Sequence, residues 1–238
     1  IPEHHTLPWS PSDVQARFSF SSAGTTFGRT QAAQYRYEGP WVGGEKQKEV
    51  NIVPVLSVRL TPEIVVAPRS PVVVKRELRV AVKNGSKGAV DAVVKIDAGK
   101  LKVEPASAAV KFRYEGEELT ARFFVTVPPG TPESEFALKA SAEANGETFA
   151  QGYQVIAYDH TQERHLFHDA ASVLRVQDVK LAPGVRIGYI MGAGDETADA
   201  IQQLGAPLTM LTADDLAYGD LSKYTTIVTG TRVFQGRN

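Results

Sequence analysis

Glu77-Leu78-Arg79-Val80-Ala81-Val82-Lys83, closed by the turn Asn84-Gly85-Ser86, is the stretch that decides the fold. Its period is two: Leu78, Val80 and Val82 share one face, while Glu77, Arg79, Ala81 and Lys83 share the other. Successive side chains of a strand point to opposite faces, so the pattern predicts a half-buried strand. A slip of one residue would carry the charged set inward, which specifies the register.

The same texture repeats outward from this strand. Val90 to Ile96 alternates again, followed by Leu101-Lys102-Val103 and Val110-Lys111-Phe112-Arg113-Tyr114. Ala121-Arg122-Phe123-Phe124-Val125-Thr126-Val127, Phe136-Ala137-Leu138-Lys139-Ala140-Ser141-Ala142 and Thr148 to Tyr158 complete the series. A strand about every ten residues, with Gly, Pro or Asn between, predicts an antiparallel β-sandwich of immunoglobulin-like size. Asn145-Gly146 predicts a hairpin, because both central residues of a type I′ turn need positive φ. Upstream, Val50 to Leu60 is β-branched, and Pro54 within it predicts an edge strand or a bend.

The N-terminal part has a different composition, rich in Ser, Thr, Gly, Gln and aromatic residues. Phe18-Ser19-Phe20 and Tyr35-Arg36-Tyr37 alternate, and Gly39-Pro40 and Gly43-Gly44 punctuate turns, as in a hairpin or edge element. Trp9 and Trp41, the only tryptophans, suit packing by their size. Their functional alternative is a stacking platform for sugar rings, which makes them the candidate ligand-binding residues.

Beyond Tyr158 a polar run, Asp159 to Asp169, carries three of the five histidines. It reads as a linker or crossover, with a strand over Ala170 to Lys180 carried by Val173, Val176 and Val179. Then comes β-α-β logic. Val185 to Met191 fits a buried parallel strand, and Gly192-Ala193-Gly194 a tight loop. Asp195 is placed as N-cap, Ala198, Ile201 and Leu204 as the inward helix face, and Gly205 as the C-cap. Leu208 to Leu211 and Thr225 to Gly230 supply further strands, and Asp214-Asp215-Leu216 opens a short helical turn. Three strands are few for a parallel sheet, which needs cover on both faces. The expectation is a piece of a longer protein, cut inside a flavodoxin-like domain. The expected architecture is therefore mainly β: an N-terminal β segment (1–60), an immunoglobulin-like sandwich (61–158), a linker (159–184) and a truncated parallel α/β segment (185–238).

Composition narrows the function classes. Across 238 residues the formal net charge is -1, which gives no field to steer nucleic acid. No apolar run reaches the roughly 18 residues of a membrane span. There is no cysteine, which removes disulfides, thiolate metal sites and cysteine nucleophiles. A cysteine-free chain suits an oxidising space, and the expected setting is extracytoplasmic, periplasmic or secreted.

His160, His165 and His168, flanked by Asp159 and Asp169, form the nearest approach to a metal cluster, since imidazole and carboxylate are zinc ligands. Their spacings of five and three differ from the two histidines four apart of a helical zinc motif, and hydrogen-bonded or solvated histidines are the plainer reading. Gly192-Ala193-Gly194-Asp195 resembles a phosphate loop, but the third glycine of the dinucleotide fingerprint falls at Thr197. Glu115, Glu117 and Glu118 read as a solvated turn against the alternative of a glycosidase carboxylate.

The order of motifs resembles the non-catalytic C-terminal part of large bacterial PIG-L family deacetylases. The resemblance rests on Tyr35-Arg36-Tyr37-Glu38-Gly39-Pro40 with Gly44-Glu45, then Val53-Pro54-Val55-Leu56-Ser57-Val58. It continues through Glu115-Gly116-Glu117, Phe123 to Pro128 and Ile156-Ala157-Tyr158-Asp159-His160, in a sandwich similar to NEW3-type domains. Tyr189 to Glu196, Leu211 to Leu216 and Gly219 to Tyr224 look like the start of a glutamine-amidotransferase-like domain. Such deacetylases remove N-acetyl groups from sugars with zinc held in an N-terminal domain. The AHPDDE-type motif of that domain is nowhere in this chain, so no residue here inherits its role. The resemblance implies a non-catalytic accessory region without its own cofactor, with the rest of the parent polypeptide and carbohydrate as partners. The alternatives are a hydrolase site built from the α/β part and the histidine-rich linker, and a structural spacer.

Overall fold

The computed structural model describes residues 12–38, 45–158, 161, 163–194 and 196–234. They are mainly β. Four strands come first: β1 (Gln15–Ser22), β2 (Thr25–Ala32), β3 (Gln34–Glu38) and β4 (Glu45–Glu49). β1 pairs with β2, and β3 with β4, both antiparallel. Ala33 splices the two ladders: its N–H donates to Val14 O and its C=O accepts from Val50 N–H, each at 2.9 Å. The result is one long ribbon, with Thr25 to Glu38 along one side and β1 and β4 end to end along the other.

The sandwich follows. β5 (Leu56–Thr61), β6 (Ile64–Pro68), β7 (Val74–Asn84), β8 (Val90–Asp97), β9 (Lys102–Glu104), β10 (Ala108–Phe112), β11 (Glu118–Val127), β12 (Ser134–Ala144), β13 (Glu147–Phe149), β14 (Gln151–Ile156), β15 (Arg164–Asp169) and β16 (Ala171–Gln177) appear in chain order. One sheet has the order β5-β7-β11-β9; the other has the order β10-β8-β12-β16-β6, with β13 also on β12. Leu78, Val80 and Val82 of β7 are fully buried, as their alternation predicts, against Phe123 and Val125 of β11 and the inward residues Val94, Leu138 and Leu174 of the opposite sheet. At Asn145 and Gly146 φ is 53° and 82°, both positive, as the type I′ reading of the β12–β13 turn requires.

Two boundaries differ from the sequence reading. β5 belongs to the sandwich as an edge strand, so the N-terminal segment gives up Leu56 to Leu60; Pro54 lies just ahead of that strand and spares its ladder. The segment 159–184 is not a linker throughout. β16 lies between β12 and β6, antiparallel to the first and parallel to the second. Its inward residues are Ser172, Leu174 and Val176, with Ser172 Oγ donating to Pro62 O at 2.7 Å. Following the valines alone hides this face, because a serine and a leucine complete it.

A buried asparagine secures the sandwich end. Asn84 Nδ2 donates to Gly88 O (2.8 Å) and Tyr114 O (3.1 Å), and its Oδ1 accepts from Ser86 N–H (2.9 Å). Fully buried amides persist where their hydrogen bonds are met.

The last described part holds β17 (Ile187–Ile190), α1 (Thr197–Gln203), β18 (Leu208–Met210), α2 (Ala213–Tyr218) and β19 (Thr226–Thr229), with the sheet order β18-β17-β19 and both pairings parallel. Glu196 takes the N-cap position of α1; the expected cap, Asp195, lies outside the described residues. Ala198 is buried, but Leu204 is 38% exposed rather than inward, because α1 turns Gln203 to the sandwich. Gly205 has φ +86°, as a residue just past a helix end commonly does. Thr212 and Asp215 form a reciprocal capping box on α2.

Candidate functional site

β14 and β15 form a hairpin on the flank of the sandwich, with Gly152 opposite His168 and Val155 opposite His165. Gly152 makes the close approach: a Cβ there would lie 2.3 Å from Val58 O of β5. On the other face of this hairpin His165 packs with its ring centre 5.3 Å from Tyr153 and 6.4 Å from Phe167. Two ion pairs tie β15 and the residue before it to the ribbon: Arg164 Nη1 to Glu49 Oε2 at 2.8 Å, and Lys48 to Glu163.

Between these elements lies a cleft of about 580 Å³, lined by Ser12, Asp13, Glu49, Asn51, Arg164, His165 and Phe167 among others. Its floor is aromatic and its walls carry amide, hydroxyl, carboxylate and guanidinium groups. The main charges of its wall, Arg164 and Glu49, are paired with each other. His165 Nδ1 is buried and has no hydrogen-bond partner among the described residues. Burial pushes this imidazole below the usual histidine range, assisted by Lys48 and opposed by Glu163, so the ring is neutral at pH 7.

The structure separates the predicted histidines. His165 faces the cleft with Phe167, whereas His168, three residues on, lies on the opposite face over Gly152; a strand sends residues an odd number apart to opposite sides. His165 and His168 thus cannot share one metal ion on this strand. His160, Trp9 and Trp41 lie outside the described residues. Among the described residues no group of three or more possible metal ligands is brought together.

The phosphate-loop candidate is a packing turn. A Cβ at Gly192 would sit 2.2 Å from Thr231 O, and the Ala193 N–H already donates to that oxygen at 2.8 Å. Glu117 is likewise structural. Its carboxylate accepts from Arg113 Nη2 (2.7 Å), Nε (3.0 Å) and backbone N–H (2.6 Å), which together hold it below the usual carboxylate range.

A second crevice, about 620 Å³, opens between α1 and the edge of the sandwich, from segments too far apart in the chain to leave a local sequence signal. Val66 N–H donates to Gln203 Oε1 (2.7 Å), Arg76 Nε donates to Val66 O (2.8 Å), and Arg76 Nη2 donates to Gln203 O (2.8 Å). This clasp satisfies the outward N–H and C=O of Val66 on the edge strand β6, groups that would otherwise be open to another chain, and couples α1 to the sandwich.

No family model matches the chain, and no curated protein matches it. Among solved structures it is similar to WR4, a Caenorhabditis elegans MSP family member (9% identity, 50% of this chain and 97% of that one, TM-score 0.29). It is also similar to the ASH/PapD-like domain 7 of human CEP192 (13% identity, 61% and 100% covered, TM-score 0.32). A third likeness is to native alpha-2-macroglobulin from Escherichia coli spanning domain MG7 to the C-terminus (15% identity, 53% and 17% covered, TM-score 0.34).

Proposed function

We propose that this chain is a non-catalytic accessory region that supports and positions a sugar-processing partner domain, in keeping with the resemblance to the C-terminal part of PIG-L family deacetylases. In this reading 185–238 is a flavodoxin-like parallel α/β segment, the setting is extracytoplasmic, and the partners are the rest of the parent polypeptide and a carbohydrate. The observation that carries the carbohydrate contact is the cleft beside His165. An aromatic floor beside amide, hydroxyl and paired ionic groups suits a neutral polyhydroxylated ligand, which stacks through its C–H faces and hydrogen-bonds at its edges. The clasp at Gln203 supports the positioning role, since it couples the α/β part to the sandwich.

The test is calorimetric titration of the full chain with N-acetylglucosamine oligomers, free and de-N-acetylated. The expected result is weak binding that Phe167→Ala reduces at least about tenfold, roughly the loss of one stacking contact. Trp9→Ala and Trp41→Ala test the tryptophan platform in parallel. Absence of binding to any oligomer would remove the carbohydrate contact and leave the spacer reading.

A further inference from the structure

We infer that the free edge of β2 pairs with the same edge of a second copy of this chain, antiparallel and centred on Gly28. The inference stands apart from the glycan reading.

Four observations converge on it. First, the ribbon lacks cover: Phe18 is 55%, Phe20 61% and Phe27 48% exposed, and a lone two-stranded ribbon is marginal in water. Second, among the described residues β2 pairs with β1 alone, so its other edge meets no backbone partner there. Ala33 directs both its N–H and its C=O to the β1 and β4 side. By alternation, Thr26, Gly28 and Thr30 direct theirs outward.

Third, nothing among the described residues calls for glycine at position 28. Its φ is ordinary, and a Cβ there would meet only Phe18 O, at 3.9 Å. Glycine in a strand interior weakens the strand, so the ribbon by itself gains nothing from it. Fourth, the register is self-complementary. Phe18 faces Arg29 and Phe20 faces Phe27 within the ribbon. With Gly28 opposite Gly28 of the second copy, Arg29 faces Phe27 of that copy, and the row across four strands reads Phe18, Arg29, Phe27, Phe20. The two-fold axis generates the same row in reverse. Each guanidinium then lies between aromatic rings, a favourable arrangement for a cation, and Thr26 meets Thr30. A register centred on Arg29 would instead set like charges face to face. An isologous pairing of this kind closes as a dimer without propagating.

Sedimentation velocity on the full chain over a concentration series should show a monomer–dimer equilibrium. Thr30→Pro removes an outward N–H while leaving the β1 ladder intact, and should weaken the dimer at least tenfold with an unchanged urea midpoint. Gly28→Cys installs the only cysteine of the chain; facing Cα atoms about 5.5 Å apart lie within disulfide range, so mild oxidation should give a covalent dimer. A chain monomeric throughout the series overturns the inference. So does a dimer that Thr30→Pro leaves intact, or one in which Gly28→Cys resists cross-linking.

Discussion

The sandwich and the ribbon are built from the same kind of sequence and end in opposite environments. β7 alternates Leu78, Val80 and Val82 with charged residues, and that face is fully buried. β1 alternates Phe18 and Phe20 with Arg17 and Ser19, and every one of its residues is exposed. Alternation selects a face but does not supply what covers it. β7 meets a second sheet, whose inward residues Val94, Leu138 and Leu174 complete a core cluster. β1 meets only β2. The difference is one of tertiary opportunity rather than of local propensity.

The largest test of this contrast is truncation of a phenylalanine in each region. Phe123→Ala should lower the unfolding free energy by about 3–5 kcal/mol, the usual cost of deleting a buried aromatic. Phe20→Ala should lower it by less than about 1 kcal/mol, since only its stack on Phe27, with centroids 5.2 Å apart, is lost. Urea denaturation reads both; similar losses would break the comparison.

A finer test uses two glycines. Gly152→Ala forces a methyl against Val58 O and should cost about 1–3 kcal/mol by overpacking. Gly28→Ala meets open space and should raise stability by up to about 1 kcal/mol through a less flexible unfolded chain. Thermal unfolding should show opposite signs, and equal signs would show that the ribbon backbone is as crowded as the sandwich.

The smallest effects concern pH and fall in two windows. Glu117 is held below its ordinary value by Arg113, so its contribution is complete above about pH 4.5 and is lost as pH falls through its folded value. His165 is also lowered, but it is a base. Below about pH 6.5 the unfolded chain takes up a proton that the folded ring refuses, so stability declines already from that point as pH falls. Glu117→Gln should flatten the acid limb of the urea midpoint, and His165→Phe the segment near neutrality. A His165→Phe profile parallel to the wild type would show that this ring titrates freely.

Much of the sandwich was legible because strand periodicity and turn chemistry agree. Asn145-Gly146 and the Leu78 face are local signals that the fold honours. β16 was less legible, since its inward face includes Ser172, a polar residue made acceptable by a hydrogen bond to Pro62 O from a distant turn. The cleft was nearly invisible. Its lining comes from residues 12–13, 49, 51–54, 151, 164–165 and 167, and of the predicted site residues only His165 is seen to belong to it. A spacing of three on a strand would have separated His165 from His168 had β15 been recognised. Its polarity, and its distance from the regular series, concealed it. The clasp of Val66, Arg76 and Gln203 left no trace in any single segment.

By itself the sequence determined the alternation of the central sandwich strands and the β12–β13 turn, because these depend on residues a few positions apart. Tertiary structure alone decided which alternating faces are covered, which histidine enters a cleft, and which edge strand is sealed by Gln203. The cleft and the clasp join residues more than a hundred positions apart, and burial is a property of the opposing surface as much as of the strand.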